Sequence, residues 1–317
     1  MTRKIGIAAF LLCCVALSGA ALAVGLPRPI GIGHDAEWSP GEDYVSYVRN
    51  DTLFASPLDE RKMTITIMTG PIIKYEWLDS DQLAVQTRQY YPHPVEDIRV
   101  EHIYRCRIDS EPELVARDSV GGDSRAASDR LRLTRFADGT IGYFTNASGA
   151  ERIEILSRKS ADSTIAASPN LYVRCDPQPR GPVWLYYGSS GDRKIVLSET
   201  GKFILPQLAP TSDKFFCKNN AGDLVVFDTS GVFISNLGRA SMPRWDNTGQ
   251  WIAYCVAEWG HYDLLASDIA VVRFDGKDRT RLTESPELEE EPQFSPSGDR
   301  LLFREEKSGQ IFLVELE

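Results

Sequence analysis

Of the residues that could do chemistry, the four histidines His34, His93, His102 and His261 include no His-x-His or His-x-x-x-His pair, the spacings that put two ring nitrogens on one metal. No metal or cofactor is expected from such scatter. A serine nucleophile on a strained turn would show as Gly-x-Ser-x-Gly, and a phosphate cradle as Gly-x-x-x-x-Gly-Lys; neither occurs. Paired carboxylates can act as acid and base, and Glu287-Leu288-Glu289-Glu290-Glu291 offers several together. A charge run of this kind reads first as a solvated loop. No catalytic residue is assigned on these grounds.

Cys106, Cys175, Cys217 and Cys255 are widely spaced and form no Cys-x-x-Cys pair of the zinc or redox type. Two disulfides and four thiols buried in strands fit equally. Trp38, Trp77 and Trp245 would suit a carbohydrate platform, but they recur at one place in a repeat, which points to packing.

The elements that must position these residues come from that repeat. EWSPGEDYVSYV, QLAPTSDKFFCK, RWDNTGQWIAYC and QFSPSGDRLLFR align without gaps on the anchors Trp38, Leu208, Trp245 and Phe294. Apolar residues follow seven and nine positions later, Val45 and Tyr47 in the first copy, Leu301 and Phe303 in the last. Apolar residues two apart mark a strand face. Turn formers lie between, such as Ser39-Pro40-Gly41 and Pro296-Ser297-Gly298. Weaker copies carry anchors at Trp77, Phe136 and Ala167. The steps between the seven anchors are 39, 59, 31, 41, 37 and 49 residues, a mean of about 43. Three or four antiparallel strands per unit of that length define an all-β fold, a β-propeller of seven blades. The uneven steps also admit six, and a linear β-solenoid is the structural rival.

Arg3 and Lys4, the apolar run Ile5 to Leu17 and Ala21-Leu22-Ala23 predict a secretory signal peptide over residues 1–23, cleaved after Ala23. Leu11 and Leu12 before Cys13 argue against a lipid anchor. Losing 23 of 317 residues would leave 294, expected to form one propeller domain over 24–317 in the periplasm or outside the cell. No further apolar run is long enough to span a membrane. The whole chain has 35 basic and 45 acidic residues; without Arg3 and Lys4 the balance is 33 to 45, near −12. That surface repels phosphate backbones, so no nucleic-acid partner is expected. Asn50-Asp51-Thr52 and Asn146-Ala147-Ser148 match the glycosylation pattern at a frequency near chance.

EPQFSPSGDRLLF and MPRWDNTGQWIAY, the latter followed by DIAVVRFDGKDRTRLT, resemble the WD40-like (PD40) propeller repeat of the TolB family. The resemblance is strong at Trp38, Trp245 and Phe294, weak from about 90 to 200, and implies the propeller fold rather than an activity. TolB itself has an amino-terminal α/β domain, for which these 294 residues leave no room. Its partners are therefore not carried over. Similar propellers precede the peptidase domains of the prolyl oligopeptidase class, and no such domain is expected here.

A ring requires its first and last blades to meet. The last copy holds about three strands, near Gln293, at Leu301 to Arg304 and at Ile311 to Leu316, so Pro27 to Ile32 are expected to supply the fourth and close the ring. Residues just ahead of each anchor fall at the start of an inner strand, near the channel mouth. They include His34 and Asp35, Tyr75 and Glu76, Met242 and Arg244, and Glu290 and Glu291, which predicts an acidic funnel for a cation or basic peptide. Two insertions, QYYPHPVEDIRVE with Tyr90, Tyr91 and His93, and EWGHYDLLASD with Trp259, His261 and Tyr262, are expected to be loops that contact a ligand. The leading expectation is an exported scaffold that binds a protein or peptide. A carbohydrate lyase or hydrolase comes second, and a small-ligand or metal-binding module third.

Overall fold

A computed structural model describes residues 24–92, 98–120, 131–135, 140–145, 152–157, 171–176, 178–187, 192–259 and 263–316. Strand β1 (Arg28–Ile32) precedes the first blade, which is β2 (His34–Trp38), β3 (Tyr44–Arg49), β4 (Thr52–Pro57) and β5 (Ile65–Thr69). Blade 2 is β6 (Ile72–Trp77), β7 (Gln82–Tyr91), β8 (Ile98–Arg107) and β9 (Glu113–Val120). Blade 3 contains β10 (Leu131–Arg135), β11 (Ile141–Thr145) and β12 (Arg152–Ser157); blade 4 contains β13 (Leu171–Cys175), β14 (Val183–Tyr187) and β15 (Asp192–Leu197). Blade 5 is β16 (Phe203–Leu208), β17 (Lys214–Asn219), β18 (Asp223–Asp228) and β19 (Phe233–Arg239). Blade 6 is β20 (Ser241–Trp245), β21 (Trp251–Trp259), β22 (Leu264–Arg273) and β23 (Thr280–Arg281). Blade 7 joins β24 (Glu289–Phe294), β25 (Arg300–Glu305) and β26 (Gln310–Glu315). Among the described residues five sheets have four strands and two have three, all antiparallel. The fold is a β-propeller of seven blades, and the solenoid reading is discarded.

The anchors work as packing residues. Trp38, Trp77 and Trp245 are buried, and each indole N–H donates to the blade before it. Trp38 donates to the Gln293 carbonyl at 3.4 Å, Trp245 to the Gln207 carbonyl at 3.3 Å and Trp77 to Ser46 Oγ at 2.8 Å. A tryptophan suits this place because it buries a large apolar body and still satisfies its one donor. Six of the seven seams carry an apolar cluster among the described residues. Gly249 and Gly298, four positions after their anchors, have φ of 65° and 83°, the left-handed turn conformation that glycine adopts without strain. In the first copy φ of 58° falls on Glu42 and not on Gly41.

The two ends of the chain share blade 7. β1 pairs antiparallel with β26, Arg28 opposite Leu313 and Ile32 opposite Gln310. A Cβ at Gly31 would lie 2.4 Å from the Tyr47 ring, so glycine is what lets β1 cross blade 1 this closely. At the seam of blades 7 and 1, Trp38, Val45 and Tyr47 pack on Leu302, Ile311 and Leu313. Glu42 accepts hydrogen bonds there from Arg300, the Ser297 amide and Ser297 Oγ, the last at 2.9 Å.

One expectation is corrected. The run expected to be a solvated loop is strand β24 from Glu289, whose side chain is buried. Of the two readings left open for Cys106, Cys175, Cys217 and Cys255, the structure shows free, buried thiols, and burial pushes those of Cys106 and Cys255 up to about 12. Among the weak copies Trp77 is the buried anchor expected. In blade 3 Arg135 pairs with Ile141, and in blade 4 Leu171–Cys175 is the first described strand. Phe136 and Ala167 lie outside the described residues.

Deleting Val24 to Gly33 removes β1 and uncovers Tyr47 and Ile311. We expect Tm to fall by roughly 5 °C or more by differential scanning calorimetry; an unchanged melt contradicts the closing role of this strand.

Candidate ligand-binding face

Antiparallel order puts the beginnings of the inner strands on the same face as the turns between second and third strands. In blade 2 Ile72, where β6 begins, pairs with Thr87, so β7 continues four residues further to Tyr91, still paired with Ile98. In blade 6 Ser241 pairs with Cys255, and β21 continues to Trp259, paired with Leu264. Two hairpins therefore rise above this face, on either side of blades 7 and 1. Tyr90 and Tyr91 are 56% and 48% exposed, and Leu264 and Leu265 are 38% and 62% exposed. Ion pairs brace both hairpins. Arg88 Nε donates to the buried Glu101 at 2.5 Å, and Arg281 bridges Glu258, at 3.0 Å, to the fully buried Asp268. His93, His261 and Tyr262 lie outside the described residues, and Trp259 is placed by its backbone alone.

A bulge recurs on the inner strands beside this mouth. Asp35, Leu205, Met242 and Glu291, each three positions before its anchor, have φ of 52°, 52°, 49° and 57°. The pairing shifts at each of these places. Pro206, Pro243 and Pro292 follow three of them, and a residue without an N–H sits naturally where the ladder is interrupted. A left-handed residue that is not glycine costs on the order of 1 to 3 kcal/mol and gathers at functional places. All four side chains are exposed at the mouth.

Of the sequence-predicted residues, His34, Asp35, Glu290 and Glu291 lie toward this end of their inner strands and Tyr90 and Tyr91 on a hairpin. Glu76 and Arg244 directly precede their anchors at the far end, and the acidic residues are not a free funnel. Glu290 and Glu291 both pair with Arg304, Glu291 at 3.3 Å. Glu76 is buried and held by Arg135, at 2.7 Å, and Lys74, at 3.1 Å. His34 Nδ1 lies 2.8 Å from Asp35. Arg244 is exposed on β20 and has no ion-pair partner among the described residues. Tyr75 donates its hydroxyl to the Asp35 carbonyl and, at 3.2 Å, to that of Ser46; burial pushes this phenol well above its ordinary value.

Glu37 is the residue that sequence reasoning missed. It directly precedes Trp38, as Glu76 precedes Trp77, and this shared position was the available signal. Glu37 is half-buried, and among the described residues no donor reaches its carboxylate. Burial first, then the Glu76 carboxylate, push it up to about 7, against the opposing pull of Arg135 and Lys74. One inner wall thus holds two carboxylates of different character, Glu76 held by two cations and Glu37 unpaired and raised by burial.

The sequence matches no protein-family model and no curated protein. Among solved structures, the chain is similar to the β-propeller domain of Cps50 (Swd1) from Myceliophteria thermophila. The TM-score is 0.52 at 9% identity, over 93% of this chain and 100% of that one. At this identity the likeness establishes the fold alone. The class the fold defines is a β-propeller.

Because the folded state raises the Glu37 pKa from 4.5 to about 7, native protein binds more protons than unfolded chain between these values. Stability therefore falls as pH rises through that window. Glu37→Gln should remove this slope, leaving stability near pH 4 unchanged and raising it above pH 7 by up to about 3 kcal/mol. Urea unfolding at both pH values checks this, and parallel curves for the two proteins contradict it.

Proposed function

We propose that this chain is an exported propeller of TolB-like repeats that binds a protein or peptide partner across the face bearing the two hairpins. The observation that carries this reading is the exposure of Tyr90, Tyr91, Leu264 and Leu265 on paired, braced hairpins beside the channel mouth. Contiguous exposed apolar groups on a rigid frame are the usual mark of an interaction surface. Tyrosines are effective contacts because they bring large area with few torsions to freeze. Export rests on Arg3, Lys4, the apolar run and Ala21-Leu22-Ala23. The TolB-like assignment rests on the turn Ser295-Pro296-Ser297-Gly298, its relatives Ser39-Pro40-Gly41 and Asn247-Thr248-Gly249, and the proline two residues before the anchors Trp245 and Phe294.

A second reading, catalysis on a substrate in the channel, is favoured by one observation. Glu37, pushed up to about 7, stands beside Glu76, whose carboxylate is ion-paired with Arg135 and Lys74, and neighbouring carboxylates in unlike surroundings can divide into acid and base.

Affinity capture from the native exported fraction tests the first reading, with mature protein, a Lys62→Glu control on the opposite face and a variant joining Tyr90→Ser, Tyr91→Ser, Leu264→Ser and Leu265→Ser. We expect a stoichiometric partner that survives moderate salt, is kept by the control and is lost at least about tenfold from the hairpin variant, as for centrally buried contact residues. Equal retention by all three proteins, or no partner at all, contradicts the proposal.

A further inference from the structure

Every carboxylate on a described inner strand except one has a donor of its own. Asp35 lies against His34, and Glu76 is held by Lys74 and Arg135. Glu289 accepts from Thr283 and, at 2.9 Å, from Ser285, while Glu290 and Glu291 share Arg304. Glu37 alone lacks one among the described residues, although it is half-buried, whereas Asp35 and Glu291 have partners even though they are exposed.

A desolvated carboxylate must be neutralised by a proton or by a cation. The free protein supplies the proton. A ligand able to supply the cation instead would displace that proton and gain a charge-assisted hydrogen bond in a site of low dielectric. The surroundings favour a cation over an anion. Asp35, Glu37 and Glu76 stand against Lys74 and Arg135, and both of these cations are already turned onto Glu76. The described residues hold no group of three or more side chains arranged for a metal ion, so the fitting cation is organic. Half-burial leaves Glu37 within reach of an entering side chain.

We propose that Glu37 is the receptor for an ammonium or guanidinium group, a Lys or Arg side chain or a free amino terminus, which the partner inserts into the channel between blades 1 and 2. This deepens the binding reading above and rests on it. Proton and cation compete for one carboxylate, so binding tightens as pH rises toward 7. The titratable and charged groups facing Glu37 are Asp35 and His34 on its own strand, Lys74, Tyr75 and Glu76 on β6, and Arg135 on β10; its neighbour on β3, Ser46, is neutral.

Agmatine is the probe, with neutral N-butylacetamide as control, on mature protein labelled with carbon-13 in its glutamate carboxyls. We expect saturating agmatine to lower the Glu37 midpoint by about one pH unit or more and the control to leave it in place. Agmatine affinity should fall about tenfold per pH unit below the midpoint, as one proton is exchanged, and at least about tenfold in Glu37→Gln of unchanged Tm. An unmoved Glu37 titration, or equal agmatine binding by Glu37→Gln, overturns the proposal. The hairpin variant keeps the agmatine site, so a missing partner and a missing cation site are read separately.

Discussion

A propeller sheet has two faces and no core of its own, so each blade must bury both faces against its neighbours. The contact that sets this geometry is the anchor at the end of each inner strand. In three blades it is a tryptophan whose ring fills the seam while its N–H reaches the preceding blade. One side chain thereby couples apolar burial to a directional bond and fixes how far one inner strand stands from the next. The bulge three residues earlier and the turn four residues later keep constant positions relative to it. The same spacing brings Glu37, Glu76 and Arg135, carried by three successive blades, onto one wall.

That wall is where the fold departs from simple packing. Charges enter the inner strands because those strands edge the channel, and each must be balanced within a crowded space. Glu76 is balanced by two cations, one from its own strand and one from the next blade. Glu37 has no ion-pair partner among the described residues, and burial with the neighbouring Glu76 pushes it up to about 7. The two hairpins stand at the beginnings of the inner strands and present aromatic and aliphatic side chains to solvent, whereas Glu37 and Glu76 directly precede the anchors that end those strands. Ion pairs fix the hairpins to the ring.

The sequence shows most of the framework because repetition is written locally. Anchor, turn and strand recur within twelve residues, and Trp38, Trp245 and Phe294 fall where the alignment puts them. The pairing of Arg28–Ile32 with the last blade followed from counting strands. The site was less legible, since its contacts join positions about one repeat apart. Glu37 gives no local sign that Glu76 stands beside it, and Glu290 and Glu291 look like a free acidic patch until Arg304 is placed on them. Blades 3 and 4 were less legible because their copies repeat the anchor, turn and strand only in part.

The central claim is that a partner lies across the hairpin face. Its most direct test is photocrosslinking with a benzophenone side chain placed, one site at a time, at Tyr90, Leu265, Lys62 or Ser230. Tyr90 and Leu265 sit on the two hairpins; Lys62 and Ser230 are exposed on the opposite face. The account predicts crosslinks to one and the same protein from Tyr90 and Leu265 and none from the other two. Crosslinks confined to Lys62 or Ser230, or spread evenly over all four sites, would contradict it.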